Sequence, residues 1–261
     1  MLFVHEWGVP EGPPVVCLHG VMGVGTRFRR LAADVLTTHR VLAIDLRGHG
    51  RSTHEPPWDI STHLADLRST LDAHDVGPAD FVGFSFGGRL TLELAATDSD
   101  RVRRMALLDP AIQLSPATAF QMADQVRNDQ TFLDEAEAVA ARMAGLKRAD
   151  PTMVAEDMAG EFVESGVGRL AYRVSRSAVV AAYGEMATPA RFPSPRPTLL
   201  VRAAHGVVND EGAAALEAAI GSNLKTVEVE GSHSVLWDAY DETVRTVAQL
   251  LLAAQTFDSG L

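Results

Sequence analysis

Short apolar runs rich in β-branched residues alternate with helix-period segments through the first 110 residues. Leu2 to Trp7, Val15 to Leu18, Arg40 to Ile44, Asp80 to Phe84 and Arg104 to Leu108 predict strands. Between them, Arg27 to Thr37, Ile60 to His74 and Ser85 to Ala96 carry apolar residues at helical spacing, with Ile60, Leu64, Leu67 and Leu71 marking one face. Each connection is about one helix long, which predicts βαβ units and a mostly parallel sheet flanked by helices, an α/β fold.

From Ser115 to Pro189 the pattern changes. Four stretches of helical period, near 117–128, 131–146, 151–164 and 168–186, follow one another without a strand-like run, which predicts an all-helical insertion after the strand ending near Leu108. The stiff segment from Arg191 to Pro197 closes it. Strands at Thr198 to Ala203 and Lys225 to Glu230, alternating with helices near 211–220 and 238–254, then resume the sheet. The expected organisation is a core of residues 1–114 and 191–261 with a cap of residues 115–190.

Composition narrows the class. At 261 residues and 46% hydrophobic the chain has about 120 apolar side chains, which excludes a disordered or fibrous protein. A net charge of −11, with no basic cluster longer than the Arg29-Arg30 and Arg103-Arg104 pairs, speaks against nucleic acid or an anionic membrane as partner. The single cysteine, Cys17, lies in the apolar run Val15 to Leu18 and reads as a buried hydrophobe in a reducing compartment. With no leader-like start and no run of about 18 apolar residues, the expectation is a cytoplasmic protein.

The chemistry concentrates in Gly83-Phe84-Ser85-Phe86-Gly87, between a predicted strand and a predicted helix. That context is a nucleophile elbow: a serine on a tight, strained turn leaves room only for small residues two before and two after it, and its hydroxyl stands above the sheet. The N–H of Phe86, at a helix start, would face a developing oxyanion. His233, in Gly231-Ser232-His233-Ser234 after the last strand, is the best candidate base among nine histidines. His19 has a different reading: its ring holds the His19-Gly20-Val21 loop, whose Val21 N–H is the candidate second oxyanion donor.

The ordered series of a strand, His19-Gly20, Asp45 to Ser52, Gly83-x-Ser85-x-Gly87, a helical insertion and Gly231-Ser232-His233 resembles the α/β-hydrolase superfamily over essentially the whole chain. The resemblance implies a Ser–His–acid triad on a sheet and a cap above it; no His/Cys/Asp/Glu group has the spacing of a metal site, and the expected enzyme uses no cofactor or metal. It also marks two departures. Members usually open with an antiparallel hairpin, whereas this chain starts inside what would be the hairpin's second strand. Members also usually carry the acid a few residues past the strand equivalent to Thr198 to Ala203, where this chain reads Ala204-His205-Gly206-Val207-Val208-Asn209-Asp210. Two residues compete for the role. Asp109 ends the earlier strand, a position some branches use, and it also has a turn reading in Asp109-Pro110. Asp210 lies late and has a sufficient explanation as a helix N-cap.

Five methionines (122, 143, 153, 158 and 186) with Phe120, Phe132, Phe162, Tyr172 and Tyr183 fall in the insertion, and Met122 and Met158 are candidate pocket residues. No arginine pair or acidic cluster stands out as a reader of charged groups. The expected activity is hydrolysis of a small or medium, largely apolar ester, thioester or lactone. The alternatives are a cofactor-independent dioxygenase or C–C hydrolase on the same fold, and a ligand-binding receptor whose triad is vestigial.

Overall fold

Alternation within the short strands explains how one sheet separates two apolar layers. In β2 (Pro14–Leu18), Val15 and Cys17 pack into one cluster while Val16 and Leu18 pack into the other. Strand β3 (Arg40–Ile44), with Val41 and Ala43 against Leu42 and Ile44, divides in the same way. In this computed structural model, described for residues 1–127, 130–166 and 168–252, both strands are nearly fully buried. Burial on both faces is what a parallel sheet covered by helices on each side requires.

The remaining core strands are β1 (Val4–Gly8), β4 (Ala79–Phe84), β5 (Val102–Leu108), β9 (Thr198–His205) and β10 (Leu224–Ser232). The seven form one sheet in the order β1-β3-β2-β4-β5-β9-β10. All pairs are parallel except β1 with β3, where Val4 lies opposite Ile44. Thus β1 is an antiparallel edge strand of this sheet. The Ile60–Ala73 helix buries Leu64, Leu67 and Leu71 on one face of the sheet. Phe28, Leu31, Val247 and Leu251 cover the other. Among the described residues no helix is long and apolar enough to cross a membrane.

The insertion between β5 and β9 corrects the all-helical expectation. Among the described residues it has four helices, Pro116–Val126, Glu135–Met143, Pro151–Met158 and Arg176–Met186, each started by a Ser or Asp cap at 115, 134, 150 or 175. It also has a three-stranded antiparallel sheet of β6 (Thr131–Phe132), β7 (Phe162–Ser165) and β8 (Arg169–Tyr172), in the order β6-β8-β7. The expected helices over 151–164 and 168–186 therefore each lose a turn or more to strand. Gly160, at φ 83°, ends the third helix, and the pairing of Phe162 with Tyr172 lets these rings pack with Phe132. Three short strands carry too few residues for alternation to outweigh the flanking helical period.

Candidate active site

The turn after β4 places Ser85 at φ 53° and ψ −115°, a strained non-glycine conformation, immediately before the Phe86–Thr97 helix. Small neighbours are a steric necessity there: a Cβ on Gly87 would lie 2.1 Å from the Leu18 carbonyl oxygen. His233 follows β10 and reaches back to this turn. Its Nε2 accepts from the Ser85 hydroxyl at 2.9 Å, and its Nδ1–H donates to Asp109 Oδ2 at 2.6 Å. A carboxylate partner requires the proton on Nδ1, which leaves Nε2 free as the acceptor facing the serine. The Phe84 ring packs 4.8 Å from the imidazole and limits its tilt.

The structure thus brings Ser85, His233 and Asp109 together from the ends of β4, β10 and β5. Asp109 is fully buried, with a positive φ of 40°. Its carboxylate also accepts the N–H of Ala203 at 3.1 Å and of Val207 at 2.9 Å, so three donors converge on it. Gly206, where the family's acid is expected, abuts this carboxylate: a Cβ there would lie 2.3 Å from both Asp109 oxygens. The carboxylate of Asp109 fills the space that a side chain from position 206 would need.

Asp210 is not brought into this group. Its side chain is 92% exposed and pairs with Arg202 at 2.5 Å. Its expected role as N-cap is corrected too, because Asn209 caps the Asp210–Ile220 helix by accepting the Gly212 N–H at 2.7 Å.

The two candidate oxyanion donors flank the serine. Phe86 is the first residue of its helix, so its N–H has no intrahelical acceptor. The loop bearing Val21 runs against the turn so closely that a Cβ on Gly20 would lie 2.8 Å from the Ser85 Cβ. His19 holds that loop as its sequence position suggests: Nδ1–H donates to the Gly20 carbonyl at 2.7 Å and Nε2 accepts the Leu46 N–H at 2.9 Å. Burial, with His49 beside it, pushes the His19 pKa down to about 3, so the ring stays neutral in this role.

Asp238 was not singled out by sequence, where it is only the start of a helical pattern. Its carboxylate accepts the N–H groups of Lys147, Arg148, Ala149 and Ser232 at 2.8 to 3.1 Å. Burial pushes this carboxyl up, and the N–H donors outweigh it and hold the pKa below the usual range. One side chain therefore ties the insertion to the loop carrying His233.

A cavity of about 490 Å³ opens onto Ser85 and His233. Ala111, Leu114, Met122, Val126, Tyr183 and Met186 line one part, and Leu146 and Tyr172 another. Met158 is not among its walls: it is buried in a separate cluster with Phe132, Val154 and Trp237. The absence of an arginine reader is also corrected, since Arg27 and Arg142 both line the cavity, brought there from distant parts of the chain. Among the described residues, no three His, Cys, Asp or Glu side chains are arranged to hold a metal ion.

Sheet order, elbow and the Ser–His–Asp arrangement define an α/β-hydrolase class of structure. Residues 13–240 match the family model described as alpha/beta hydrolase fold, and the chain belongs to that family. Lipase LipV of Mycobacterium tuberculosis is 34% identical over 240 residues, 90% of this chain and 91% of that protein. Esterase YbfF of Escherichia coli is 35% identical over 98 residues, 38% of this chain and 39% of that protein. The solved structure of E-2-(acetamidomethylene)succinate hydrolase matches in fold with a TM-score of 0.85, at 20% identity, over 96% of this chain and 94% of that one.

Proposed function

We propose that this protein is a cofactor-free serine hydrolase that cleaves carboxylic esters through an acyl-enzyme. The observation that carries the reading is the continuous hydrogen-bonded line from Ser85 Oγ through His233 to the buried Asp109 carboxylate. A serine hydroxyl is a weak nucleophile until a base takes its proton. Here Nε2 is within reach to do so, and Asp109 fixes the tautomer and stabilises the imidazolium that forms. The Ser85 oxygen attacks the ester carbonyl, and the developing negative charge falls between the N–H groups of Val21 and Phe86. Imidazolium returns the proton to the leaving alcohol, and water, activated by the same imidazole, releases the acid and regenerates Ser85.

Relatives named lipase and esterase support ester cleavage over the oxygenase and receptor alternatives. The insertion, residues 115–190 over a core of 1–114 and 191–261, acts as a cap whose apolar walls select the acyl or alcohol chain. A cytoplasmic location is part of this reading, supported by the buried, unpaired Cys17 thiol. The test is labelling by a fluorophosphonate probe, with turnover of nitrophenyl esters of graded acyl length and oxygen uptake followed in parallel. Ser85→Ala is expected to abolish labelling and turnover together in a folded protein. Turnover retained in that variant would end the reading.

A further inference from the structure

Around the cavity the charge balance is uneven. Arg27, buried, donates to one oxygen of Glu161 at 3.1 Å, so that pair is internally neutralised. Arg142, half-buried near the end of the Glu135–Met143 helix, has no carboxylate within ion-pairing distance among the described residues, and its Nε is buried without a hydrogen-bond partner. What holds it is aromatic: its guanidinium carbon lies 5.4 Å from the Tyr172 ring centroid and 5.8 Å from that of Trp237. Cation–π contacts of this kind orient an arginine without neutralising it. A guanidinium carries a delocalised positive charge and several donors, and among the described residues no side-chain anion at this cavity wall compensates it. Such a group in a cavity wall is a receptor for an anion, and its planar fork matches a carboxylate.

The cavity is also divided. Arg142 stands with Tyr172 and Leu146 on the wall formed by the insertion's smaller cluster, whereas Leu114, Met122 and Met186 belong to the main core. One wall suits hydrocarbon and the other a negative head. Building on the hydrolase reading above, we propose that the substrate is an ester whose acyl chain carries a remote carboxylate, and that Arg142 receives it. The chain's net charge of −11 gives long-range attraction no part in this preference, which comes from the local guanidinium.

The experiment compares 4-nitrophenyl hemiesters of six- and eight-carbon diacids, which keep a free carboxylate, with the same compounds capped as methyl esters. The ratio of kcat/KM, free acid to capped, is read within each protein so that a general loss cancels. A charge-assisted arginine–carboxylate bond predicts a ratio of about ten to one hundred in the natural protein for at least one chain length. In Arg142→Gln the ratio is expected to fall to about one, and Arg142→Lys, which keeps the charge but loses the fork, to lie between them. Melting temperature and fluorophosphonate labelling of Ser85 are followed in all three proteins. A labelled natural enzyme with no preference for the free acid, or a preference that survives in folded Arg142→Gln, overturns the carboxylate assignment and leaves the hydrolase reading standing. Absence of both labelling and turnover in the natural protein overturns the hydrolase reading and the assignment with it.

Discussion

Replacing Asp109 by Asn tests the acid with little change of shape, because Asn tolerates the positive φ of this position as well as Asp does. The amide offers one acceptor oxygen where the carboxylate offers two. If that oxygen faces Ala203 N–H, the NH₂ group faces His233 and Val207; the imidazole then keeps its proton on Nε2 and is no longer a base toward Ser85. If the oxygen faces His233, the NH₂ group abuts the buried Ala203 N–H. Either arrangement leaves a buried donor unpaired, a loss of about 1 to 3 kcal/mol in stability, or roughly 3 to 10 °C in melting temperature for a chain of this size. In a serine protease the equivalent exchange lowers kcat about 10⁴-fold. A fall of about 10² to 10⁴ in kcat/KM, equivalent to ~3 to 5 kcal/mol in barrier, is expected here. Asp210→Asn, at an exposed position, is expected to change turnover less than twofold. A second arm moves the acid. Gly206→Asp alone is expected to be inactive, since its Cβ would overlap the Asp109 oxygens, while Asp109→Gly with Gly206→Asp is expected to recover at least tenfold over Asp109→Gly. Nitrophenyl ester kinetics with melting curves decide it. A folded, active Asp109→Asn beside a folded, inactive Asp210→Asn would refute the assignment.

Two further outcomes follow from the walls and the buried histidines. Met122→Ala, in the cavity wall, is expected to shift the preference between four- and eight-carbon acyl esters several-fold with Ser85 still labelled, whereas Met158→Leu, in the separate cluster, is expected to leave the ranking in place; equal effects from both would contradict the cavity's boundaries. Burial pushes the His49 and His63 pKa values down to about 4 and that of His19 to about 3, so the unfolded chain, titrating near 6.5, takes up protons first as pH falls. Their stabilisation is complete above about pH 6.5 and is lost toward pH 4 at about 1.4 kcal/mol per histidine per pH unit. The melting temperature is therefore expected to drop by about 10 °C or more between pH 7 and pH 5, and a flat profile would show that these rings are not held neutral by the fold.

The core was legible because its signals are local and repeated. β4 (Ala79–Phe84), the elbow and the Phe86–Thr97 helix lie in one stretch of chain, where apolar period and two obligatory glycines agree. His233 was legible by its place after the last strand. The insertion was not, since β6, β7 and β8 are two to four residues long and owe their pairing to contacts among Phe132, Phe162 and Tyr172 that no local pattern announces. Asp238 and Arg142 escaped for the same reason. Each acts on residues about 90 positions away in the chain, Asp238 through the N–H groups of 147 to 149 and Arg142 through the Trp237 ring. A lone aspartate or arginine in a helical pattern carries no mark of such a partner.

The position of the acid shows how local sequence and sheet topology combine. Leu108 pairs with Val201, so β5 and β9 are neighbours and their carboxyl ends release the chain side by side, facing the loop that follows β10. A carboxylate from either end can approach His233 Nδ1, but the two routes converge on one volume. Here Asp109 takes it, held by Ala203 and Val207 N–H groups that belong to the β9 end itself. The loop from Ala203 to Val207 thereby changes from supplying the carboxylate to solvating it, and its residue 206 must lack a side chain. Asp109 and Gly206 are one structural feature written in two places, and this coupling is why exchanging both is expected to restore part of a function that exchanging either one destroys.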